Sequence, residues 1–379
     1  MTKLQDALKN PTYIALVNTA IVLIVAAQQY FLNSYNTFTT YRYATYHFFQ
    51  ELPLYDAYPQ YEGYFFYNPT FPLLFIPFAY FPVPLGILTW VMSLMVAFYY
   101  GLRLLPIQRD KMVFIYFFSV IALVTALQNL DTAPMVAGCI FGAFAYAERR
   151  DYFRATFFPN VGFFVKGYVA IGACFLMMRK FKRRVFPYVF FWFSLFLFLP
   201  LLKYSPSELI QIYQDWGTSY ANDRQNHVGI SVMGLVRHLL GIPVSVLYVQ
   251  IFAALLLVMT MISMSFRKNY SRAKFHFLSY LLIWVVIFNH LASTSTYIIA
   301  APGVAIWYLI SERTWMDKLL LGITFLMTIL SPTDLFPAWI RHNYITPYSL
   351  QALGPTLIFI LLQYELLFSN FAPFHGKKN

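Results

Sequence analysis

The sequence predicts an all-α polytopic membrane protein of about 10–12 transmembrane helices, with a re-entrant hairpin and a juxtamembrane helical loop on its outer side. Three observations carry that expectation. The 379-residue chain is 59% hydrophobic, 20% aromatic and only 11% charged, too little charge for a soluble domain of this size. Its apolar residues fall in runs long enough to cross a hydrocarbon core of ~30 Å as helix. Its basic residues fall between those runs, in short clusters. A membrane β-barrel would instead give short segments of alternating polarity, a pattern the sequence lacks.

Spans are expected at 13–32, 86–104, 112–128, 132–147, 185–203, 243–265, 275–290, 297–311, 317–331 and 349–368. The first, Tyr13 to Leu32, is longer than a signal-peptide core and has no clear small-residue cleavage site, so it reads as a retained span. Two stretches break the pattern. Phe66 to Pro84 carries prolines at 69, 72, 77, 82 and 84. Each removes a backbone donor and crowds the preceding turn, so this stretch reads as a juxtamembrane or re-entrant element. The second, 153–178, is divided by Pro159, Gly162 and Lys166-Gly167 into halves too short to span alone. Basic residues flank it on both sides, Arg149, Arg150 and Arg154 before and Arg179, Lys180, Lys182, Arg183 and Arg184 after. A hairpin entering and leaving on the cytoplasmic side satisfies both flanks and puts Lys166 near its bend.

Charge sets the orientation. With 1–12, 103–111, 148–154, 179–184, 266–274, 312–318 and the tail inside, 21 of the 27 Lys and Arg are cytoplasmic. The outer side keeps Arg42, Lys166, Lys203, Arg224, Arg237 and Arg341, and takes eight of the 15 acidic residues. This is the positive-inside pattern, and it predicts a multi-pass protein of a bacterial inner membrane with both termini cytoplasmic. It also accounts for the net charge of +12 without nucleic acid, which would call for a continuous basic face. The chain reads as a single integral membrane domain, 1–379. Its outer features are a first loop with juxtamembrane elements (33–85), a second loop (204–242) and a third (332–347), with the interrupted hairpin at 153–178.

Several polar residues stand out against this apolar background. Lys166 is alone in an apolar stretch; a charge at depth is costly and faces a cavity or partner unless it snorkels. An anionic headgroup is its natural partner. Gln128, Asn129 and Asp131 lie where one span meets the next, and they suit either a polar ligand or the cap of the following helix, ahead of Pro134. Asn289 and His290, followed by Ser293 to Thr296, form a second polar cluster. Arg224, His227, Arg237 and His238 could bring positive charge to a phosphate. In the first loop, Phe38, Tyr41, Tyr43, Tyr46, Phe48 and Phe49 recur as in a helix lying in the interface, either an aromatic belt or a lid over a groove. Cys139 and Cys174 read as small buried hydrophobes. Zinc motifs, phosphate loops, dinucleotide fingerprints and nucleophile elbows are all missing from the sequence, so no metal site is expected.

Five weak motifs, taken in order, resemble the GT-C membrane glycosyltransferases, and specifically glycosyltransferase family 87. Leu54-Tyr55-Asp56 is similar to the family's G-x-x-L-Y stretch, with Glu51 near the usual glycine. Tyr67-Asn68-Pro69 and the apolar run to Pro82 resemble its Y-x-P element. Gln128-Asn129 opens a segment ending in Glu148-Arg149-Arg150, like its G-Q-x-N…RR helix. Lys166-Gly167-Tyr168 looks like its K-P-Y site, and Asn226 to Leu239 like its N-x-S…G-L…R-L segment. The resemblance implies that a hexose, mannose-like, moves with inversion from a polyprenyl-phosphate sugar to a lipid or glycan acceptor at the periplasmic face, with no bound cofactor. It implies an outer carboxylate as base, and Lys166, with Arg224 or His290, as the groups that stabilise the leaving phosphate; Gln128, Asn129, His227, Asn289 and Arg42 stand beside them as candidates for holding substrate. The family's early acidic position falls on Thr37, beside Asn36, and neither is a base. Either Asp56, Glu51 or Asp131 takes the role, or the chain serves as a transporter of a lipid-linked sugar or a non-catalytic subunit. Transporters tend to show interrupted helices in both halves; here 66–84 and 153–178 both lie in the first half, which favours the enzyme.

Overall fold

Asn10 caps the first helix, α1 (Pro11–Phe31): its Oδ1 accepts the Thr12 amide at 3.0 Å, and Pro11 sits in the first turn, where no donor is needed. One stripe of α1, including Ile14, Asn18, Val22, Val25 and Gln29, is buried; the remaining face is apolar and exposed, as a lipid-facing helix requires. The computed structural model describes residues 10–177, 183–223, 227–266 and 270–369. Among them, six helical segments are long and apolar enough to cross a membrane: Pro11–Phe31, Val83–Leu104, Arg109–Gln128, Val185–Leu202, Val246–Phe266 and Leu350–Phe368. Shorter apolar helices complete the bundle, and the protein is an all-α polytopic membrane protein.

After α1 come α2 (Asn36–Phe49), α3 (Phe71–Ala79), α4 (Val83–Leu104), α5 (Arg109–Gln128), α6 (Ala133–Glu148) and α7 (Tyr152–Val165). A 3-10 segment, Gly167–Ala173, and one helical turn, Cys174–Met177, lead back from α7. Then follow α8 (Val185–Phe198), α9 (Pro206–Asp223), α10 (Val232–Leu239), α11 (Val246–Phe266), α12 (Tyr270–Ile287), α13 (Tyr297–Ile310), α14 (Trp315–Thr324) and α15 (Leu353–Phe368). A π-helical turn, Phe325–Leu330, extends α14.

The connections alternate between two faces. One face holds 105–108, 149–151 and 311–314; there Arg149 donates to the Leu104 carbonyl at 2.8 Å, and Lys274 pairs with Glu148 at 2.5 Å. The described ends of α1 and α15 lie on this basic face. The other, called here the site face, carries 32–82, 129–132, 199–245, 288–296 and 331–352. The core follows from small residues as much as large ones. All of α6 from Ala133 to Ala147 is buried apart from Met135, and Gly138 lets its backbone reach α4: a Cβ there would stand 2.3 Å from the Ala97 carbonyl oxygen.

One sequence expectation for the site face changes. α2 is a helix as the aromatic spacing suggests, but it is neither a belt nor a lid. Phe38, Tyr41, Ala44 and Phe48 are buried, and the Tyr41 ring stands edge-on to Tyr67, Phe71, Phe75 and Trp90 at 4.9–6.0 Å. Phe71 and Phe75 of the short helix α3, with Tyr67 and Trp90, provide that apolar surface, so Phe38, Tyr41 and Phe48 of α2 are buried against protein. The second loop, 204–242, is largely helical: α9 and α10 account for most of it.

Candidate functional site

The site is built around the hairpin. Asp151 caps α7, its Oδ1 accepting the Arg154 amide at 3.1 Å. Fourteen residues at ~1.5 Å each raise the chain about 21 Å from the basic face. There the helix stops: Lys166 is extended (φ −137°, ψ 114°), and the chain returns as the 3-10 segment. The two limbs pack closely because Gly162 has no side chain; a Cβ there would stand 2.2 Å from Val169 Cγ1. Lys166 is thus at the apex, on the site face.

Asp131 meets it. The α5–α6 turn places Leu130 at a positive φ of 53°, and Trp90 holds it by donating Nε1–H to the Leu130 carbonyl at 3.0 Å. A left-handed conformation at such a residue costs about 1–2 kcal/mol. The next residue then directs its carboxylate three ways. Asp131 Oδ1 accepts the Ala133 amide at 2.8 Å, capping α6, and Lys166 Nζ at 2.9 Å; its Oδ2 accepts Ser295 Oγ at 3.1 Å. Burial works to raise the Asp131 carboxyl. The Lys166 ammonium and these three hydrogen bonds outweigh it, and hold the group below the usual carboxylate range. The sequence left cap and ligand contact as alternatives for this residue; the structure gives it the cap and, in addition, the lysine.

Lys166 opens on a chamber of about 520 Å³ walled by Tyr67, Tyr168, Trp216, Asn289 and Thr296. Its Nζ lies 5.4 Å from the centre of the Tyr67 ring, and the Tyr67 hydroxyl hydrogen-bonds Tyr41 and Thr132. Trp216, from α9, donates its indole N–H to the Phe66 carbonyl at 3.1 Å, which fixes how α9 lies over the chamber. Phe66 and Leu291 form a wall shared with a second, wider cleft of about 950 Å³. That cleft is lined by Tyr55, Asp56, Tyr64, Asp215, His227 and His290, among others.

The remaining candidates are distributed unevenly. Asp56, His227 and His290 line the outer cleft, and Asn289 the inner chamber. His290 is fully buried, its Nδ1 3.2 Å from Gln250 Nε2. Gln128 donates to Gln28 on α1 and Asn129 to the Thr125 carbonyl of its own helix; neither lines the chamber or the cleft. Arg42 turns to Tyr46, donating to its hydroxyl at 2.7 Å. Glu51 pairs with Lys203 at 2.6 Å on the surface. Arg224 lies outside the described residues. At the start of α2, Asn36 exchanges two hydrogen bonds with the Glu62 backbone, both 2.9 Å, and Thr37 lines neither cavity.

Sequence reasoning missed Asp215 and Trp216. They sit in an 18-residue helix whose pattern is that of any amphipathic surface helix, and nothing local shows that its apolar side covers a cavity. Among the described residues, no three His, Cys, Asp or Glu side chains converge as a metal would require.

One comparison bears on this arrangement. The sequence profile of glycosyltransferase family 87 matches residues 65–294, a stretch that contains Lys166, Asp131, Asp215, Trp216 and His290. No curated protein matches the sequence.

Proposed function

The chain belongs to glycosyltransferase family 87, and from that premise we propose that it moves a hexose, mannose-like, from a polyprenyl-phosphate sugar to a glycan or glycolipid acceptor, with inversion. The membrane is a bacterial inner membrane, both termini are cytoplasmic, and the site face is periplasmic. The observation that carries this reading is Lys166, a cation at the apex of a hairpin, facing an apolar aromatic chamber beside a cleft with carboxylates.

The division of labour follows from what each group can reach. The donor's phosphate sits at Lys166 and its sugar in the chamber beside Trp216. The acceptor hydroxyl oxygen forms a bond to the anomeric carbon as the bond from that carbon to the phosphate oxygen breaks. Polyprenyl phosphate leaves with the bonding electrons, gaining negative charge that Lys166 stabilises. Asp56 takes the hydroxyl proton. It lines the cleft, and no hydrogen bond or ion pair from a described residue engages its carboxylate. Asp131 is a poor base by comparison, since both its oxygens already accept hydrogen bonds; it is a positioning residue for Lys166. Glu51, paired with Lys203 away from both cavities, takes no part.

The test is transfer of labelled sugar by purified protein in nanodiscs, from a panel of polyprenyl-phosphate hexoses. Wild type transfers one of them, and Asp56→Asn loses about 10²–10⁴ of the rate while still binding donor. If the protein binds donor through Lys166 yet neither transfers nor hydrolyses any member of the panel, it is a binding or transport protein instead.

A further inference from the structure

The two cavities differ in charge. The inner chamber has Lys166. The outer cleft has no lysine or arginine among the described residues that line it; its basic side chains are the two imidazoles of His227 and His290, and two carboxylates reach it from separate elements, Asp56 from the first loop and Asp215 from α9. We infer that the outer cleft takes an uncharged, hydroxyl-rich sugar as acceptor, that Asp215 binds it, and that acceptors bearing phosphate or carboxylate at that end are rejected. The inference rests on the glycosyl-transfer reading and narrows its acceptor.

The chemistry of the walls supports it. Carboxylates accept hydrogen bonds from sugar hydroxyls and repel an anion placed beside them, so the same groups select for one class and against the other. Thr218, Ser219 and Asn222, on the same helix as Asp215, add neutral donors and acceptors, and Tyr55, Tyr64 and Phe66 add aromatic side chains of the kind that pack on the carbon-bound hydrogens of a sugar. Position matters as much as composition. Asp215 and Trp216 are consecutive, one lining the cleft and the other the chamber. The Trp216–Phe66 hydrogen bond fixes that register, and Gln211 Nε2 steadies the Asp215 carboxylate by donating to its Oδ1 at 2.8 Å. Asp215 therefore stands at the border of the two cavities, where an acceptor hydroxyl has to approach the donor's anomeric carbon.

The experiment uses the full chain in nanodiscs, one active donor, and two acceptors: a short-tailed neutral disaccharide glycoside and the same molecule with a phosphate on its terminal sugar. Donor affinity measured on each variant reports that it is folded. Wild type is expected to favour the neutral acceptor by about 100-fold in kcat/KM, the scale that loss of one or two charge-assisted contacts together with like-charge repulsion gives. Asp215→Asn raises KM for the neutral acceptor about tenfold with a smaller change in kcat, and Asp215→Lys reverses the preference towards the phosphorylated acceptor. Equal use of both acceptors by wild type overturns the inference, as does an Asp215→Asn variant whose KM and selectivity stay in place. Donor hydrolysis to water with no use of the neutral acceptor also overturns it while leaving glycosyl transfer standing; no turnover of any donor brings down both.

Discussion

The helix α6 has a carboxylate at each end, and each holds a lysine. At the site face Asp131, just ahead of the helix, takes Lys166 at 2.9 Å; at the basic face Glu148, its last residue, takes Lys274 at 2.5 Å. The lysines are equally sheltered, 19% and 18% exposed. What differs is what each ammonium faces. Lys166 lines a chamber, and Lys274 lines neither cavity. Sheltered charge in a membrane protein is therefore no sufficient sign of a site. The second requirement is empty space beside it, which the sequence does not display.

The comparison can be broken in order of expected effect. Lys166→Ala should lower transfer by about 10²–10³-fold or more, because in the proposed reaction the leaving phosphate loses the ammonium that faces it, whereas Lys274→Ala should change transfer per folded molecule less than threefold. Equal losses in the two variants would end the distinction. Stability should show the opposite emphasis. Removing Glu148 takes from the sheltered Lys274 ammonium the carboxylate it pairs with, at roughly 3–5 kcal/mol. The apolar double variant Glu148→Leu/Lys274→Met should recover most of that, read as thermal unfolding in detergent. A double variant no more stable than the singles would mean that the pair does more than satisfy itself.

Acid gives a smaller effect with a definite sign. The folded Asp131 carboxyl is held below its ordinary value, so its stabilisation is complete above the unfolded value of about 3.9 and is lost as pH falls further, through the folded value. Unfolding temperature should drop below about pH 4 in the wild type, and the drop should be shallower in Asp131→Asn; identical profiles would detach the pair from stability. The smallest effect is expected at a third pair, Lys203–Glu51, half-exposed on the surface at 2.6 Å. Glu51→Gln should cost less than about 1 kcal/mol and leave transfer unchanged, which a wild-type rate and melting curve would confirm.

What could be read in advance depended on how much of the cause was local. Lys166 was legible because a charge, a proline and a glycine interrupt one apolar stretch, and all three are visible in sequence. Membrane class was legible for the same reason. The burial of α2 was not, because its aromatic face suits an interface as well as a core, and the surface that covers it, Phe71, Phe75 and Trp90, is contributed by later segments. Gln128 and Asn129 looked like ligand contacts because a polar pair at a span end is ambiguous until its neighbours are known; here those neighbours are Gln28 and Thr125. Asp215 gave no signal at all. Its candidacy comes from its place beside a wall shared by two cavities, and that wall is assembled from residues more than 200 positions apart, Phe66 and Leu291.

The hairpin of 152–177 rises from the basic face and returns toward it, so it contributes an even number of passages through the bundle. Parity then has a consequence for how such a chain could have been assembled. An element of this kind can be gained, lost or exchanged without inverting any helix that follows it. The element that delivers the ammonium to the chamber is thus topologically a cassette, and the helices after it keep their direction whether or not the cassette is present.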